Sequence, residues 1–319
     1  MAQRFLRVTF SSRRLLNPNN RGNFSWNIPE KLIFNKRFYC AAAPGEENGG
    51  ILLKETHEDG QIWRLVLNNP RKRNALSVAM LEALGAALVE ASECQRVRAL
   101  VLAAAPPAFS AGHDLKELTA DCGTRQHESL FYQCSEVMKS IQQLQLPVIA
   151  EVGGVAAAAG CQLVASCDIA VASHKATFST PGIKAGLFCS TPGIALARSV
   201  NRKTAMEMLL TGEPIDAERA LRSGLISKIV AHDQLTEEAM RLAGVMCQLS
   251  KPALAIGKSF FYAQVEQSLV DAYRSGERVM CSNLRLEDCQ EGVDAFLNKR
   301  KPQWTHSQEF LKFNGKKTE

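Results

Sequence analysis

The sequence has few of the features by which metal-binding and membrane proteins are recognised. None of its ten cysteines forms a C-x-x-C pair, and its six histidines do not cluster at ligand spacing, so we predict no metal site. No apolar run reaches the roughly 18 residues of a membrane-spanning helix, and we predict no membrane span. Cys161 and Cys167 lie among small apolar residues, which predicts buried free thiols in a reducing compartment.

An excess of charge of one sign is also missing from most of the chain. The whole sequence carries a net charge of +6. Residues 1–39, however, hold eight of the 38 basic residues and one of the 32 acidic residues, which leaves 30 basic and 31 acidic side chains over residues 40–319. A nucleic-acid-binding domain would carry a basic face, so we predict no nucleic-acid partner.

The basic excess lies in residues 1–39, which are rich in arginine, contain serine and have a single acidic residue. This composition is typical of a mitochondrial transit peptide, and the apolar segment of a secretory signal is missing. Arg37 stands three positions before Cys40, a spacing that suggests a processing site there. We therefore predict a protein of the mitochondrial matrix; the alternative interpretation is a basic tail without a targeting role.

Hydrophobic patterning predicts an α/β domain followed by a helical region. Short apolar or alternating runs predict strands at 62–67, 97–104, 146–150, 168–172 and 225–230. Helical spacing predicts helices at 77–93, 124–145, 158–165, 193–199, 202–211, 216–223, 233–249, 252–266, 268–285 and 289–298. Strands that alternate with helices are typical of βαβ units. We divide the chain into a leader at 1–39, a glycine-rich linker at 40–50, a core at 51–245 and a helical region at 246–319.

Three segments rich in small or turn-forming residues follow predicted strands, at 69–76, 108–118 and 153–163. In the second, Asp114 and Glu117 have the spacing of a helix capping box. Glycine and alanine let a ligand approach main-chain N–H groups closely, and a helix N-terminus adds the positive end of its dipole. Two such loops facing one crevice would form an oxyanion hole. The alternative is that the small residues only allow a helix to pack closely on a sheet.

Motifs in the first two of these segments, together with two later in the chain, are typical of one family. N-P-x-x-x-N-A-L occurs at 69–76, A-G-x-D-L-K-E at 111–117, T-G-x-x-I at 211–215 and E-G-x-x-A-F-L at 291–297. From near Asn69 to the C-terminus, the sequence resembles the crotonase (enoyl-CoA hydratase/isomerase) superfamily. The resemblance implies a ClpP/crotonase-like α/β spiral of ββα units with a C-terminal helical region. It also implies assembly into a homotrimer or homohexamer, with the helical region at the interface.

The same resemblance implies an acyl-CoA thioester as substrate or ligand and no further cofactor. It assigns the two oxyanion donors to the main-chain N–H groups of His113 and Ala159. It places the CoA contacts at Arg71, Gly112, His113, Asp114, Leu115 and Lys116. Arg71 and Lys116 suit phosphate groups by charge, although surface cations are commonly just solvated.

Two departures from the family pattern bear on activity. Gln162 and Gly182 stand where the family's hydratases carry glutamate. Hydration needs one carboxylate to activate water and a carboxyl group to protonate the α-carbon, and neither residue supplies one. Because each general acid or base contributes about 10²–10⁴-fold, we do not expect standard hydratase activity. The main-chain donors would survive these changes.

Three functions remain open at this point. The first is lyase- or isomerase-type chemistry on an acyl-CoA enolate, the second is a non-catalytic acyl-CoA-binding regulatory protein, and the third is residual hydratase or isomerase activity with another base. His113 is a candidate base, or else packs against its own loop. Cys189 is a conceivable nucleophile without an identifiable base, and a buried inert thiol is the simpler interpretation. We interpret Glu151 as a strand-end residue.

Overall fold

The computed structural model describes residues 50–311, so the predicted leader and almost all of the linker lie outside the described residues. The strands are β1 Leu52–His57, β2 Ile62–Leu67, β3 Ala99–Ala104, β4 Ala108–Ser110, β5 Val148–Val152, β6 Val155–Ala157, β7 Ile169–Ser173, β8 Thr177–Ser179, β9 Ile215–Asp216 and β10 Lys228–Val230. The helices are α1 Val78–Glu93, α2 Thr124–Gln143, α3 Ala159–Ser166, α4 Ser190–Ser199, α5 Arg202–Thr211, α6 Ala217–Ser223, α7 Leu235–Cys247, α8 Lys251–Gln264, α9 Leu269–Asn283 and α10 Glu287–Leu297.

These strands form two sheets that the chain visits alternately. The larger sheet has the order β1-β2-β3-β5-β7-β10, and the smaller has the order β4-β6-β8-β9. Every neighbouring pair is parallel except β1 with β2 and β8 with β9. Each of β3, β5 and β7 in the larger sheet is followed by a short strand in the smaller one, and a helix follows β4 and β6. This is the repeated ββα unit expected from the resemblance.

Helix α7 covers one face of the larger sheet. Ile62, Val101 and Ile149 point from their strands into a buried cluster that also contains Ala239 and Ala243 of α7. The two alanines are one helical turn apart, and their small side chains let the helix lie close to the strands. Fully buried strands such as β3 explain why this part of the sequence consists of nearly continuous apolar runs.

The C-terminal part of the described chain is helical, as predicted. Serine residues cap two of its helices, since Ser250 accepts a hydrogen bond from Ala253 N and Ser268 accepts one from Asp271 N. The proposed boundary at residue 246 falls within the last turn of α7, and it remains a prediction. None of the helices between residues 50 and 311 is long and apolar enough to cross a membrane.

Candidate functional site

The loop that contains Gly112 packs directly against the start of α3. A β-carbon added at Gly112 would lie 2.8 Å from Ala158 Cβ and 3.2 Å from Ala159 N. Its φ of +89° also favours glycine. On the other side of the contact, a β-carbon at Gly160 would lie 2.7 Å from Ser110 Cβ. Two of the small-residue segments therefore meet at a distance that side chains would prevent.

The backbone at Ala158 turns sharply into α3. Ala158 has φ +50° and ψ −118°, a conformation that strains any residue with a β-carbon. Its N–H donates to Ser179 O at 2.9 Å, and its carbonyl accepts from Gln162 N at 3.0 Å. As a result Ala159 begins the helix, and its N–H has no acceptor within the helix.

Two main-chain N–H groups at this contact are free to bind a ligand. Within residues 50–311, neither the N–H of His113 nor that of Ala159 has a hydrogen-bond acceptor. The loop around them is nevertheless fixed, because Leu76 N donates to Gly112 O at 2.8 Å and Ala111 N donates to Arg73 O at 3.0 Å. Paired main-chain donors of this kind can stabilise a carbonyl oxygen on which negative charge develops.

The imidazole of His113 is turned into the protein. Its Nδ1 lies 3.0 Å from Leu76 O. Since a carbonyl can only accept, Nδ1 carries the hydrogen and Nε2 the lone pair. The ring meets Phe131 edge-on at 5.4 Å between centroids, and Nε2 is buried without a partner among the described residues. Burial lowers the pKa of His113, which favours a neutral ring, and the burial of Nε2 keeps its lone pair from acting as a general base.

The buried neutral ring predicts a specific pH dependence of stability. A histidine whose pKa is lower in the folded state stabilises the fold above the ordinary pKa near 6.5, and this contribution is lost as the pH falls below that value. We expect His113→Asn, which keeps a donor for Leu76 O, to lose less unfolding free energy than the natural chain between pH 7 and pH 5. The difference should be about 1.4 kcal/mol for each unit by which the pKa is lowered.

Denaturant unfolding at a series of pH values measures this slope. The matched control is His174→Asn, because His174 is an exposed histidine. Equal slopes for the natural chain and His113→Asn would show that the ring titrates as an ordinary histidine.

The residues that stand in place of the two expected glutamates differ in how much space surrounds them. Gln162 on α3 is only 5% exposed, and its Oε1 is buried without a partner in the described part of the chain. Gly182 lies in a 3-10 turn at Pro181–Ala185. A β-carbon there would overlap Leu187 O and lie 2.7 Å from Cys189 Sγ. Burial raises the pKa of the Cys189 thiol, which makes it a poor nucleophile.

The predicted CoA contacts lie on two adjoining surface turns. Lys72 Nζ pairs with Asp114 Oδ2 at 2.7 Å and thereby joins the turn that contains Arg71 to the loop that continues with Leu115 and Lys116. This ion pair lowers the pKa of Asp114. Arg71, Leu115 and Lys116 are exposed, and within residues 50–311 neither cation forms a salt bridge. Lys72 was missed by sequence reasoning, although its position beside Arg71 was a usable signal.

The predicted capping box at Asp114 and Glu117 does not form. Asp114 Oδ1 accepts from Lys116 N at 3.1 Å and begins only a four-residue 3-10 helix at Leu115–Leu118. Glu117 Oε2 accepts instead from Val78 N at 3.0 Å, at the start of α1. Glu117 therefore ties the loop to α1.

The sequence model of the enoyl-CoA hydratase/isomerase family matches residues 57–308. The chain belongs to this family. It is 54% identical over 245 residues to the human enoyl-CoA hydratase domain-containing protein 3, mitochondrial, which covers 77% of this chain and 81% of that protein. It is 51% identical to the rat protein of the same name, over 83% of this chain and 88% of that one.

Solved structures of the family agree with the fold. The crystal structure of human enoyl Coenzyme A hydratase domain-containing protein 3 has 50% identity and a TM-score of 0.78, covering 80% of this chain and 100% of that one. An enoyl-CoA hydratase of Mycobacterium smegmatis has 47% identity and a TM-score of 0.78, over 80% of this chain and 99% of that one.

These comparisons confirm the predicted family, the predicted fold and the predicted location. The crotonase fold is confirmed by the family match and the solved structures. The mitochondrial location is confirmed by close relatives that are named as mitochondrial proteins. The roles assigned to His113, Ala159, Gln162 and Gly182, and the six predicted CoA contacts, remain predictions.

Proposed function

We propose that this protein binds acyl-CoA thioesters in the mitochondrial matrix, in fatty-acid or other lipid metabolism, and is not a standard enoyl-CoA hydratase. The main-chain N–H groups of His113 and Ala159 form its oxyanion hole. The observation that supports the proposal is that these two amides lack acceptors within residues 50–311, while Gly112 packs directly against Ala158 and Ala159.

The thioester carbonyl binds between the two amides, which polarise it and stabilise an enolate. Each donor of this kind contributes about 10²–10³-fold to a reaction that develops charge on the oxygen. The positive end of α3 adds to the effect at Ala159 N. Arg71 and Lys116 are exposed cations without carboxylate partners in residues 50–311, and they bind the phosphates of CoA. The ion pair of Lys72 with Asp114 keeps their two turns together.

The proposal excludes hydration because of the residues that stand where the family's hydratases carry glutamate. Gln162 has no proton to exchange near neutral pH, and Gly182 has no side chain and no room for one. The proposed reaction is instead of lyase or isomerase type, in which the oxyanion hole stabilises the enolate and a group other than residues 162 and 182 transfers the proton. The second candidate, binding of acyl-CoA without turnover, is favoured by Gln162, which offers no acid or base and whose Oε1 is buried without a partner in residues 50–311. His113 does not rescue a hydratase mechanism, since Nε2, the ring nitrogen with the lone pair, is buried.

Gly112→Ala is the variant that tests the oxyanion hole. The added methyl group would lie 3.2 Å from Ala159 N, so it excludes a thioester oxygen from the space between the amides. We expect binding of crotonyl-CoA, measured by calorimetry, to weaken roughly tenfold or more, because each neutral hydrogen bond that is lost contributes about 0.5–1.5 kcal/mol. The natural chain should bind without hydrating this substrate at an ordinary enzyme rate.

Substitution of a second glycine distinguishes the effect of a crowded β-carbon from the effect of backbone strain. Gly123 also has a positive φ, +76°, but an added β-carbon there would meet nothing within 4 Å. Gly123→Ala should therefore lose stability without losing affinity. Equal affinities of Gly112→Ala and Gly123→Ala would remove the oxyanion hole from the proposal. Hydration of crotonyl-CoA by the natural chain at an ordinary rate would remove only the conclusion against hydratase activity.

We further propose that the protein assembles as a homotrimer or homohexamer through its C-terminal helices. Large apolar side chains on α9 and α10 are left in solvent, among them Leu269, Tyr273, Met280 and Phe296. Exposed apolar surfaces of this kind are typical of protein interfaces. We expect Leu269→Asp with Tyr273→Asp to reduce the molar mass measured by light scattering to that of one chain. The control is Leu221→Asp on α6, and an unchanged mass in the double variant would contradict the interface.

A further inference from the structure

Two basic side chains share one carbonyl oxygen near the beginning of β3. Arg98 Nη1 donates to Gln95 O at 2.8 Å, and Lys251 Nζ donates to the same oxygen at 3.2 Å. Gln95 follows α1, and Lys251 is the first residue of α8. Because both nitrogens lie against the same atom, two positive charges are close neighbours, an arrangement that is unfavourable unless negative charge offsets it.

Neither cation has a carboxylate partner. In the described range, Arg98 and Lys251 take part in no salt bridge, whereas the part-buried Arg64 pairs with both Glu55 and Glu151. Arg98 Nε is buried without an acceptor. Its other terminal nitrogen, Nη2, has no protein partner in this range and is not sealed from solvent. The guanidinium therefore keeps an open donor beside the Lys251 ammonium.

His306 adds a third donor. Its Nδ1 accepts from Lys251 N at 3.3 Å, so in the neutral ring the hydrogen is on Nε2. Nε2 has no hydrogen-bond partner between residues 50 and 311 and is not cut off from solvent. Burial and the charge of Arg98 lower the pKa of both Lys251 and His306. The cluster thus disfavours further positive charge, as a site for an anion does.

The acidic group nearest this cluster is already engaged. Asp288 is 1% exposed, and its Oδ1 accepts from Thr305 N at 2.7 Å and from Thr305 Oγ1 at 2.9 Å. It offsets part of the positive charge of Arg98 and His306, but its oxygens accept hydrogen bonds from Thr305 and from His306 N. The thiols of Cys94 and Cys247 also flank Arg98.

We propose that Arg98, Lys251 and His306 form a binding site for a phosphoryl group, either inorganic phosphate or a small phosphate monoester. Arg98 Nη2, Lys251 Nζ and His306 Nε2 are its donors. Arginine suits the geometry of phosphate oxygens, and lysine adds a compact charge. Lys251 is also the first residue of the 14-residue α8, at the positive end of the helix dipole. Its first amides are taken, Lys251 N by His306 and Ala253 N by Ser250 Oγ, so the side chains make the contacts.

This site is separate from the proposed acyl-CoA site. Arg98 immediately precedes β3, and the loop with Gly112 and His113 follows β4, beyond the opposite end of β3. A strand of six residues spans roughly 20 Å. Arg71 and Lys116, the contacts proposed for the phosphates of CoA, follow β2 and β4 and lie at that same end, because β2 runs parallel to β3. The phosphoryl group bound beside Arg98 is therefore a separate one, and the inference stands whether or not the proposed function is correct.

Titration of the purified full-length protein with inorganic phosphate, without CoA, tests the site. Thermal unfolding is followed at constant ionic strength, with chloride or acetate replacing phosphate, and glycerol 3-phosphate is titrated as the monoester. We expect millimolar phosphate or monoester to raise the Tm beyond the chloride control, and the stronger of the two identifies the source. Lys251→Gln and His306→Gln should each raise the half-saturating concentration at least tenfold. Lys203→Gln, at an exposed lysine of α5, is the control.

The same series contains the results that would overturn the site. If chloride or acetate raises the Tm as much as phosphate does, the rise is due to screening of charge and not to a phosphate site. An equal response to phosphate in Lys251→Gln, His306→Gln and Lys203→Gln would exclude these side chains. Arg98→Lys is added because it keeps the charge while losing the planar fork, and it should bind phosphate more weakly than the natural chain.

Discussion

A chain with Gln162→Glu and Gly182→Glu is expected to be less stable than the natural one by roughly 3 kcal/mol or more and still to lack hydratase activity on crotonyl-CoA. From the sequence alone, these two changes would restore the carboxylates that the family's hydratases carry. The structure predicts the opposite result, because the chain around both positions has adapted to their absence.

The greater obstacle is at residue 182. A β-carbon there would overlap Leu187 O and lie 2.7 Å from Cys189 Sγ. The carbonyl belongs to a backbone that is fixed by the hydrogen bond from Leu187 N to Gly182 O, at 2.9 Å. A glutamate would have to displace the whole turn, and a displaced carboxylate could not take the position that hydration requires. Overpacking of this kind typically costs about 1–3 kcal/mol.

At residue 162 the difficulty is charge. The Oε1 atom of Gln162 is buried and has no donor among the described residues, so a carboxylate in its place would also lack one. A buried charge without a partner is strongly unfavourable, and the carboxyl group would stay protonated at higher pH than an ordinary glutamate. Gln162→Glu alone should therefore lose stability as the pH rises above about 4.3.

Gly182→Ala is the matched control, because it adds the β-carbon without the carboxyl group. It should reproduce most of the loss of stability at that position, which denaturant unfolding measures. The decrease in absorbance of the enoyl thioester measures hydration. A double variant with natural stability and an ordinary hydration rate would show that the turn at 182–189 opens easily, contrary to this account.

Five strands of the larger sheet could be predicted from the sequence because they are apolar runs separated by regular helices, whereas β1 at its edge was missed. The predicted strand at 62–67 and the predicted helix at 202–211 coincide with β2 and α5. The smaller sheet was missed. Its strands β4, β6 and β8 have three residues each and β9 has two, too few to show a period of two. They are held by pairing with one another, which a local pattern does not reveal.

The residues of the candidate site could be predicted from the sequence, but their positions relative to one another could not. The small residues at 112 and 158–160 could be recognised, while the proximity of Gly112 to Ala159 N depends on how the two sheets are joined. The capping box failed for a related reason, because Glu117 finds its partner in Val78 N on a distant part of the chain. The closed space at Gly182 was likewise invisible, since the Leu187 carbonyl that fills it approaches only after the turn folds back.

Removing the buried ammonium of Lys258 should have the largest effect on stability of any single change considered. Lys258 Nζ donates to Asp168 Oδ2 at 2.6 Å and to the carbonyls of Ile141 and Leu146 at 2.8 Å each. Its side chain is 9% exposed. Burial lowers the pKa of Lys258, and Asp168 opposes this shift. All three ammonium hydrogens are used, and they tie α8 to the end of α2 and the start of β5.

Lys258→Met keeps the length of the side chain and removes its charge. The change leaves the Asp168 carboxylate without its cation, although Tyr262 OH at 2.9 Å and Val148 N at 2.7 Å still donate to it. Breaking a buried pair in this way costs about 3–5 kcal/mol. We expect a loss of this size in denaturant unfolding, together with faster hydrogen exchange in α8, because the helix loses its polar attachment to the core.

A double-mutant cycle distinguishes the pair from simple loss of packing. Asp168→Asn added to Lys258→Met should cost less than the sum of the two single changes by at least about 1 kcal/mol, since the second change removes the unpaired charge left by the first. Lys184→Met is the control, because Lys184 pairs with Glu213 while both side chains are more than half exposed, and such pairs contribute little. Additive losses at Lys258 and Asp168 would mean that the two charges stabilise the fold independently, and α8 would then be held by its apolar contacts alone.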